Sequence, residues 1–151
     1  MPLYLNHGEY QFSTDKTRLD IATIHEFLTQ SYWSPGVPED IVARAIDGSL
    51  CFGIYYHSSQ VGFARVITDK ATFAYLADVF VLESHRGKGL SKRLMEFIIA
   101  HPDLLGLRRF MLATKDAHGL YRQFGFTELG NPSRLMEIVR PDVYQSPQQS
   151  V

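Results

Sequence analysis

Apolar and polar positions follow two rhythms along the chain, and the changes of rhythm predict its elements. "YLNHGEYQFS" (4–13) reads as a first strand, ended by Ser13 and Thr14. In "TRLDIATIHEFLTQ" (17–30), Leu19, Ile21, Ile24, Phe27 and Leu28 gather near one helical face, with Thr17 and Asp20 as the N-terminal capping pair. "SYWSPG" breaks that helix; Pro38, followed by Glu39 and Asp40, opens a second one that Gly48 closes. "SLCFGIYYHSSQVGFARVI" (49–67) predicts two strands joined by a polar turn from His57 to Gln60. "ATFAYLADVFVL" (71–82) is almost continuously apolar, as in a strand covered on both faces.

A third helix carries its stripe on Leu90, Leu94, Phe97 and Ile98 and runs to about His101, where Pro102 stops it. "RRFMLAT" (108–114) is the next strand, "AHGLYRQF" (117–124) a short helix, and "RLMEIV" (134–139) a late strand. The polar tail from Pro141 is expected to fray, and the domain to span residues 1–145 with 146–151 as its loose end. Helices set between strands, after a meander of early strands, indicate an α/β or α+β layered sheet rather than a bundle or barrel. At 151 residues without a long linker or internal repeat, the chain reads as one domain.

Charge changes the picture at one place. The net charge is -1 and the sequence pI is ≈ 6.6, so no overall positive field draws the chain to nucleic acid or anionic lipid. Yet "ESHRGKGLSKRLM" (83–95) gathers Arg86, Lys88, Lys92 and Arg93 around Gly87 and Gly89 at a helix start. Three readings compete: a solvated basic face, a nucleic-acid contact, or a backbone cradle for phosphate. A helix N-terminus presents unpartnered N–H groups and partial positive charge, and glycines let that backbone approach an anion closely. The loop's spacing matches neither G-x-x-x-x-G-K-[ST] nor G-x-G-x-x-G, since Lys92 stands at the last position of the second. Cys51, the sole cysteine, lies in an apolar run and reads as a core thiol with no internal disulfide partner. The N-terminus lacks a secretory pattern and no apolar run reaches the length of a membrane span, so a cytoplasmic setting is expected. The six histidines show no metal-ligand spacing, and no metal is expected.

The string R-G-K-G-L-S, Arg86 to Ser91, resembles the [RQ]-x-x-G-x-[GA] signature of the GNAT superfamily of N-acetyltransferases, with Ser91 in place of the usual Gly or Ala. Downstream, "LYRQFGF" resembles that superfamily's [FL]-Y-x-x-x-G-F, with Tyr121, Gly125 and Phe126 at its fixed positions. The specific resemblance covers about residues 74–127. It implies a mixed, mostly antiparallel central sheet flanked by helices, with the fourth strand ("YLADVFVL") splayed from the fifth. It also implies acetyl-coenzyme A as co-substrate and direct acetyl transfer to a primary amine in a ternary complex.

On this resemblance Arg86, Gly87, Lys88, Gly89, Leu90 and Ser91 frame the pyrophosphate, and the backbones of Val79, Phe80 and Val81 contact pantetheine and the acetyl oxygen. Thr114 and Ala117 are cofactor contacts, with Thr114 standing where the family often has Asn. Lys92 and Arg93 lie further into the helix and are read as solvated or as partners of the 3′-phosphate. Tyr121 is the general acid for the leaving thiolate, or else a residue that only packs its helix on the sheet. Asp78, the one charge inside its strand, either draws amine protons through water or caps a strand irregularity. The stretch around it is similar to spermidine/spermine N-acetyltransferases, with Ala77 in place of a neighbouring Glu. Tyr32 and Trp33 line an acceptor pocket, or Trp33 closes the core over the sheet; Arg65 binds an acceptor carboxylate or lies on a strand surface. His118 is a weaker candidate for tuning Tyr121. The acceptor is a small-molecule or peptide amine, a homodimer is left open, and neither nucleic acid nor membrane is expected as partner. The alternative from another class is a coenzyme A-binding sensor or regulatory module without turnover.

Overall fold

The long apolar runs become neighbouring strands of one sheet. The computed structural model describes residues 1–145. Six strands line up in sequence order: β1 (Tyr4–His7), β2 (Tyr10–Ser13), β3 (Leu50–Tyr56), β4 (Ser59–Thr68), β5 (Phe73–Val81) and β6 (Arg109–Leu112). All neighbouring pairs are antiparallel except β5 and β6, which are parallel. Four helices flank the sheet: α1 (Ile21–Thr29), α2 (Glu39–Asp47), α3 (Leu90–Ile99) and α4 (His118–Arg122).

Strand alternation sorts the core into two layers. Phe52, Ile54, Ala64, Val66 and Leu76 face α3, where they bury Leu90, Leu94, Met95 and Ile98. Cys51, Phe63 and Phe80 face the opposite way, against Ile24 and Leu28 of α1 and Val42 and Ile46 of α2. Strands β3, β4 and β5 are therefore covered on both sides, which is why their sequences run apolar with little interruption. Pro38 caps α2 at its start and Gly48 at its end, as the punctuation of the sequence requires.

Four expectations are corrected. The first strand is a hairpin, β1 and β2, turning at Gly8 with φ 59°. The polar turn after β3 contains only His57 and Ser58, because β4 already starts at Ser59. Asp20 alone caps α1, accepting the Thr23 amide at 3.2 Å, while Thr17 belongs to a separate 3-10 turn capped by Asp15. Residues 134–139 form no strand: a 3-10 turn covers Pro132–Arg134, and Met136 and Ile138 are 96% and 84% exposed. An apolar run suggests a strand, but pairing also needs an edge in register, and among the described residues this run pairs with none. The tail is also more ordered than its polarity suggests. Tyr144 packs half-buried against the α1–α2 layer, and the Gln145 side chain donates to the Pro35 carbonyl at 2.9 Å. The expected loose end, 146–151, lies outside the described residues.

Gly62 offers a test of this packing. A methyl added there would stand 2.6 Å from Ile54 Cδ1 and 3.0 Å from the Phe80 carbonyl oxygen. Gly62→Ala is expected to cost ~1–3 kcal/mol through overpacking. The urea midpoint should fall with an unchanged m-value.

Candidate functional site

The site begins with a fault in the sheet. Phe63 of β4 pairs with Phe80, but Arg65 pairs with Ala77, so Ala64 faces two residues, Asp78 and Val79. This is a β-bulge, and Asp78 holds φ at 57°, in the left-handed region that Asp tolerates better than most side chains. On its other edge β5 pairs with β6 only through residues 73–76. Past Leu76 the two parallel strands separate, and Val79, Phe80 and Val81 turn their unpaired edge to a cleft of ≈ 850 Å³.

The glycine loop closes one end of this cleft. Gly87 and Gly89 adopt φ 77° and 74°, and Gly89 caps α3 with no side-chain acceptor for the first amides of the helix. Those N–H groups are free to meet an anion. Arg86 and Ser91 line the cleft directly, and the Arg86 Nε is tied to the Val81 carbonyl at 2.9 Å, fastening the loop to the end of β5. Lys88 is exposed at the loop's tip, whereas the Leu90 side chain is buried in the α3 core layer, so only its backbone can serve the loop.

Against the bulge stands an aromatic wall. Phe27 of α1 stacks on Phe80 with centroids 4.1 Å apart, and Trp33 leans on Phe27 at 6.2 Å. The Trp33 Nε1 donates to one Asp78 oxygen at 2.9 Å, and the Arg65 Nε donates to the other at 2.8 Å. Arg65 continues to Ser49, donating to its hydroxyl at 3.1 Å. Tyr32 reaches across the cleft, its hydroxyl accepting the Lys115 amide at 3.2 Å while the Lys115 ammonium lies 5.4 Å from its ring centroid. Tyr32, Trp33, Arg65 and Asp78 thus share one wall.

From the other side α4 delivers Tyr121. Thr114 accepts the Ala117 amide at 3.0 Å and so turns the chain into α4. Both residues line the cleft, as does Tyr121. The Tyr121 ring packs edge-on against Phe126 at 6.0 Å, and only 8% of the residue is exposed. Burial, followed by the neighbouring Tyr32 and Asp116, pushes its phenol pKa above the ordinary value, so the group is a proton donor at neutral pH. His118 is exposed at the start of α4.

Chemically, the cleft presents a helix start whose first amides have no side-chain cap, an unpaired strand edge, a protonated phenol and a carboxylate. An ionised carboxylate offers about four acceptor directions, of which the hydrogen bonds to Trp33 and Arg65 use two. Reasoning from the sequence did not find Phe27, Ser49, Lys115 and Tyr144 as neighbours of this site. Tyr144 lines a small cavity beside Arg65 and Asp78, and its position in a polar tail carried no signal. Cys51 lies on the α1–α2 side, 1% exposed, and burial pushes its thiol up to about 11.

Known proteins resemble this chain. Residues 47–128 match the family described as acetyltransferase (GNAT) domain. An assigned acetyltransferase of Gibberella zeae is 33% identical over 143 residues, covering 80% of each chain. A crystal structure of an assigned GNAT-family acetyltransferase from Xanthomonas campestris pv. campestris superposes with a TM-score of 0.89 at 55% identity, over 93% of this chain and 99% of that one. A Clostridium acetobutylicum protein, described as an acetyltransferase and solved with acetyl-CoA, shares the fold alone: TM-score 0.61, 12% identity, over 92% of this chain and 96% of that one.

Trp33 is the only tryptophan, so its emission reports the wall directly. Asp78→Gly removes the indole's acceptor while suiting the left-handed backbone. Its emission should move to longer wavelength and become more accessible to acrylamide. Identical spectra for the two proteins would show that Trp33 does not rest on the bulge.

Proposed function

The chain belongs to the GNAT acetyltransferase family, and from that premise we propose that it moves an acetyl group from acetyl-coenzyme A to a primary amine by direct transfer within a ternary complex. One observation carries this reading: a single cleft joins the glycine loop, the unpaired edge of β5, the Tyr121 phenol and the Asp78 carboxylate. The residues fit the cofactor, because the uncapped start of α3 and the open edge of β5 offer N–H groups along one path. The Clostridium protein of the same fold, solved with acetyl-CoA, supports that choice.

Acetyl-coenzyme A supplies the activated acyl group. The amides of residues 87–91 receive its pyrophosphate, with Arg86 and Lys88 adding charge, while Val79, Phe80 and Val81 bind pantetheine along the β5 edge. An N–H of this edge stabilises the developing oxyanion, and a donor so placed is worth ~3–4 kcal/mol of barrier. Thr114 and Ala117 complete the cofactor side. Asp78 draws the proton of the acceptor amine through water, using acceptor directions that Trp33 and Arg65 leave open. Arg65, with its Nε on Asp78 and its Nη1 on Ser49, holds that carboxylate in place. Tyr121 gives its proton to the departing thiolate. Tyr32 and Trp33 shape the entry of a small-molecule or peptide amine and exclude water behind it. The sole thiol is buried, lines no part of the cleft and is held protonated, which supports direct transfer over an acetyl-cysteine intermediate. No helix among the described residues is long and apolar enough to cross a membrane, and we place the reaction in the cytoplasm, without a nucleic-acid partner.

Gly89→Val tests the cradle. No atom lies within 4 Å of the added Cβ position, but a β-branched residue at φ 74° must shift the backbone whose amides bind phosphate. Calorimetry should show much weaker acetyl-coenzyme A binding by a folded variant; unchanged affinity would remove the loop from the cofactor site.

Tyr121→Phe tests the chemistry. With an accepted amine and saturating cofactor, kcat should fall ~10²–10⁴-fold, the usual weight of a general acid. The sign with pH follows from the raised pKa: activity that needs the protonated phenol is lost only as pH rises past the ordinary tyrosine value of about 10. The variant should lack that alkaline limb. Equal kcat with chemistry rate-limiting would leave Tyr121 a packing residue.

A further inference from the structure

Beside the Asp78 carboxylate lies a second cavity, of ≈ 120 Å³. It shares Ser34, Arg65 and Asp78 with the large cleft, so the two spaces adjoin at these residues. Away from that junction its walls are apolar: Leu28 of α1, Ile41, Val42 and Ile46 of α2, and Phe63 of β4. Tyr144 forms a further side, and the neighbouring Gln145 anchors the tail there through its bond to Pro35. The groups at the junction are already engaged with one another. Arg65 and Asp78 form an ion pair at 2.8 Å, and the Ser34 hydroxyl meets the Ser31 hydroxyl at 3.1 Å and the Leu28 carbonyl at 3.4 Å. Among the described residues no carboxylate besides Asp78 lines the cavity.

We propose that this cavity receives the tail of the acceptor, and that the acceptor is a primary monoamine with a short aliphatic chain. The inference rests on the acetyl-transfer reading: the amine nitrogen sits at Asp78, on an acceptor direction that Trp33 and Arg65 leave open. Its first carbon lies at the junction and the following carbons enter the apolar space. An apolar cavity of about 150 Å³ accepts a benzene ring, so this smaller one accepts roughly four carbons. Each methylene that leaves water for it strengthens binding ~4-fold. A second ammonium in the same place would lose its water and find no carboxylate of its own, with the Arg65 guanidinium at the junction behind it. The cavity therefore selects an uncharged tail and rejects diamines.

Two amines of equal size test this. Pentylamine and 1,4-diaminobutane differ only in the far end of the chain, a methyl in the first and an ammonium in the second. Calorimetry on the protein saturated with coenzyme A should show pentylamine bound at least ~100-fold more tightly. With acetyl-coenzyme A, kcat/KM followed by thiol release should rise ~4-fold per carbon from ethylamine to pentylamine and level off beyond it. Ala45 of α2 lines the cavity and is half-buried, so Ala45→Leu fills the space without replacing Arg65 or Asp78. In that variant, its fold checked by circular dichroism, the rise with chain length should vanish. Tyr144→Ala opens the cavity to water and should flatten the same series. Equal affinity for the two amines, no binding of pentylamine, or a rise that persists in Ala45→Leu overturns the subsite, whatever the transfer assay shows. Selective pentylamine binding without thiol release from any amine overturns the transfer reading and leaves the subsite standing.

Discussion

The left-handed backbone at Asp78 is the constraint on which the cleft depends. A bulged residue at φ 57° costs most L-side chains ~1–2 kcal/mol, and Asp is among those that bear it best. Two donors, the Arg65 guanidinium and the Trp33 indole, hold the carboxylate in place and so fasten β4 and the loop after α1 to the bulge. Without the extra residue, β4 and β5 would pair without a break. With it, β5 bends where its partnership with β6 ends, and its free edge faces the cleft.

The two core layers then place the chemistry at either side of that edge. The α3 layer carries the glycine loop at the start of its helix and holds Tyr121 through Phe126. The α1–α2 layer carries Phe27 against Phe80 and, through the loop behind α1, Tyr32 and Trp33. Burial does two opposite services here. It keeps the Tyr121 phenol protonated beside the cleft, where a proton donor is useful, and it keeps the Cys51 thiol protonated away from it.

Legibility of the sequence varied with how local the cause was. The continuous apolar runs of β3, β4 and β5 and the stripe of α3 were readable because burial writes itself on neighbouring residues. The glycine loop was readable because its conformation depends on its own glycines. The hairpin at Gly8 and the two-residue turn at His57 were blurred, since a polar turn shorter than three residues leaves little trace between strands. The run 134–139 is apolar enough to read as a strand yet pairs with no strand among the described residues, because an apolar run cannot state whose edge is within reach. Tyr144 gave no signal at all: its burial comes from loop 31–37 and α2, about a hundred residues earlier.

The sequence by itself determined the layered fold, the family resemblance carried by residues 86–91 and 120–126, and the residue types available for acid, carboxylate and aromatic roles. These follow from periodicity, glycine conformation and motif spacing, all of which act over a few residues along the chain. Only the tertiary structure decided that Asp78 would be clasped by Trp33 and Arg65, that Arg65 would serve the carboxylate and Ser49, and that Tyr32 would bridge to Lys115. Those contacts join residues 13 to 83 positions apart, and their geometry depends on the bulge and on how two core layers seat their helices. No local pattern encodes that, because the contact distance is set by the packing of everything between.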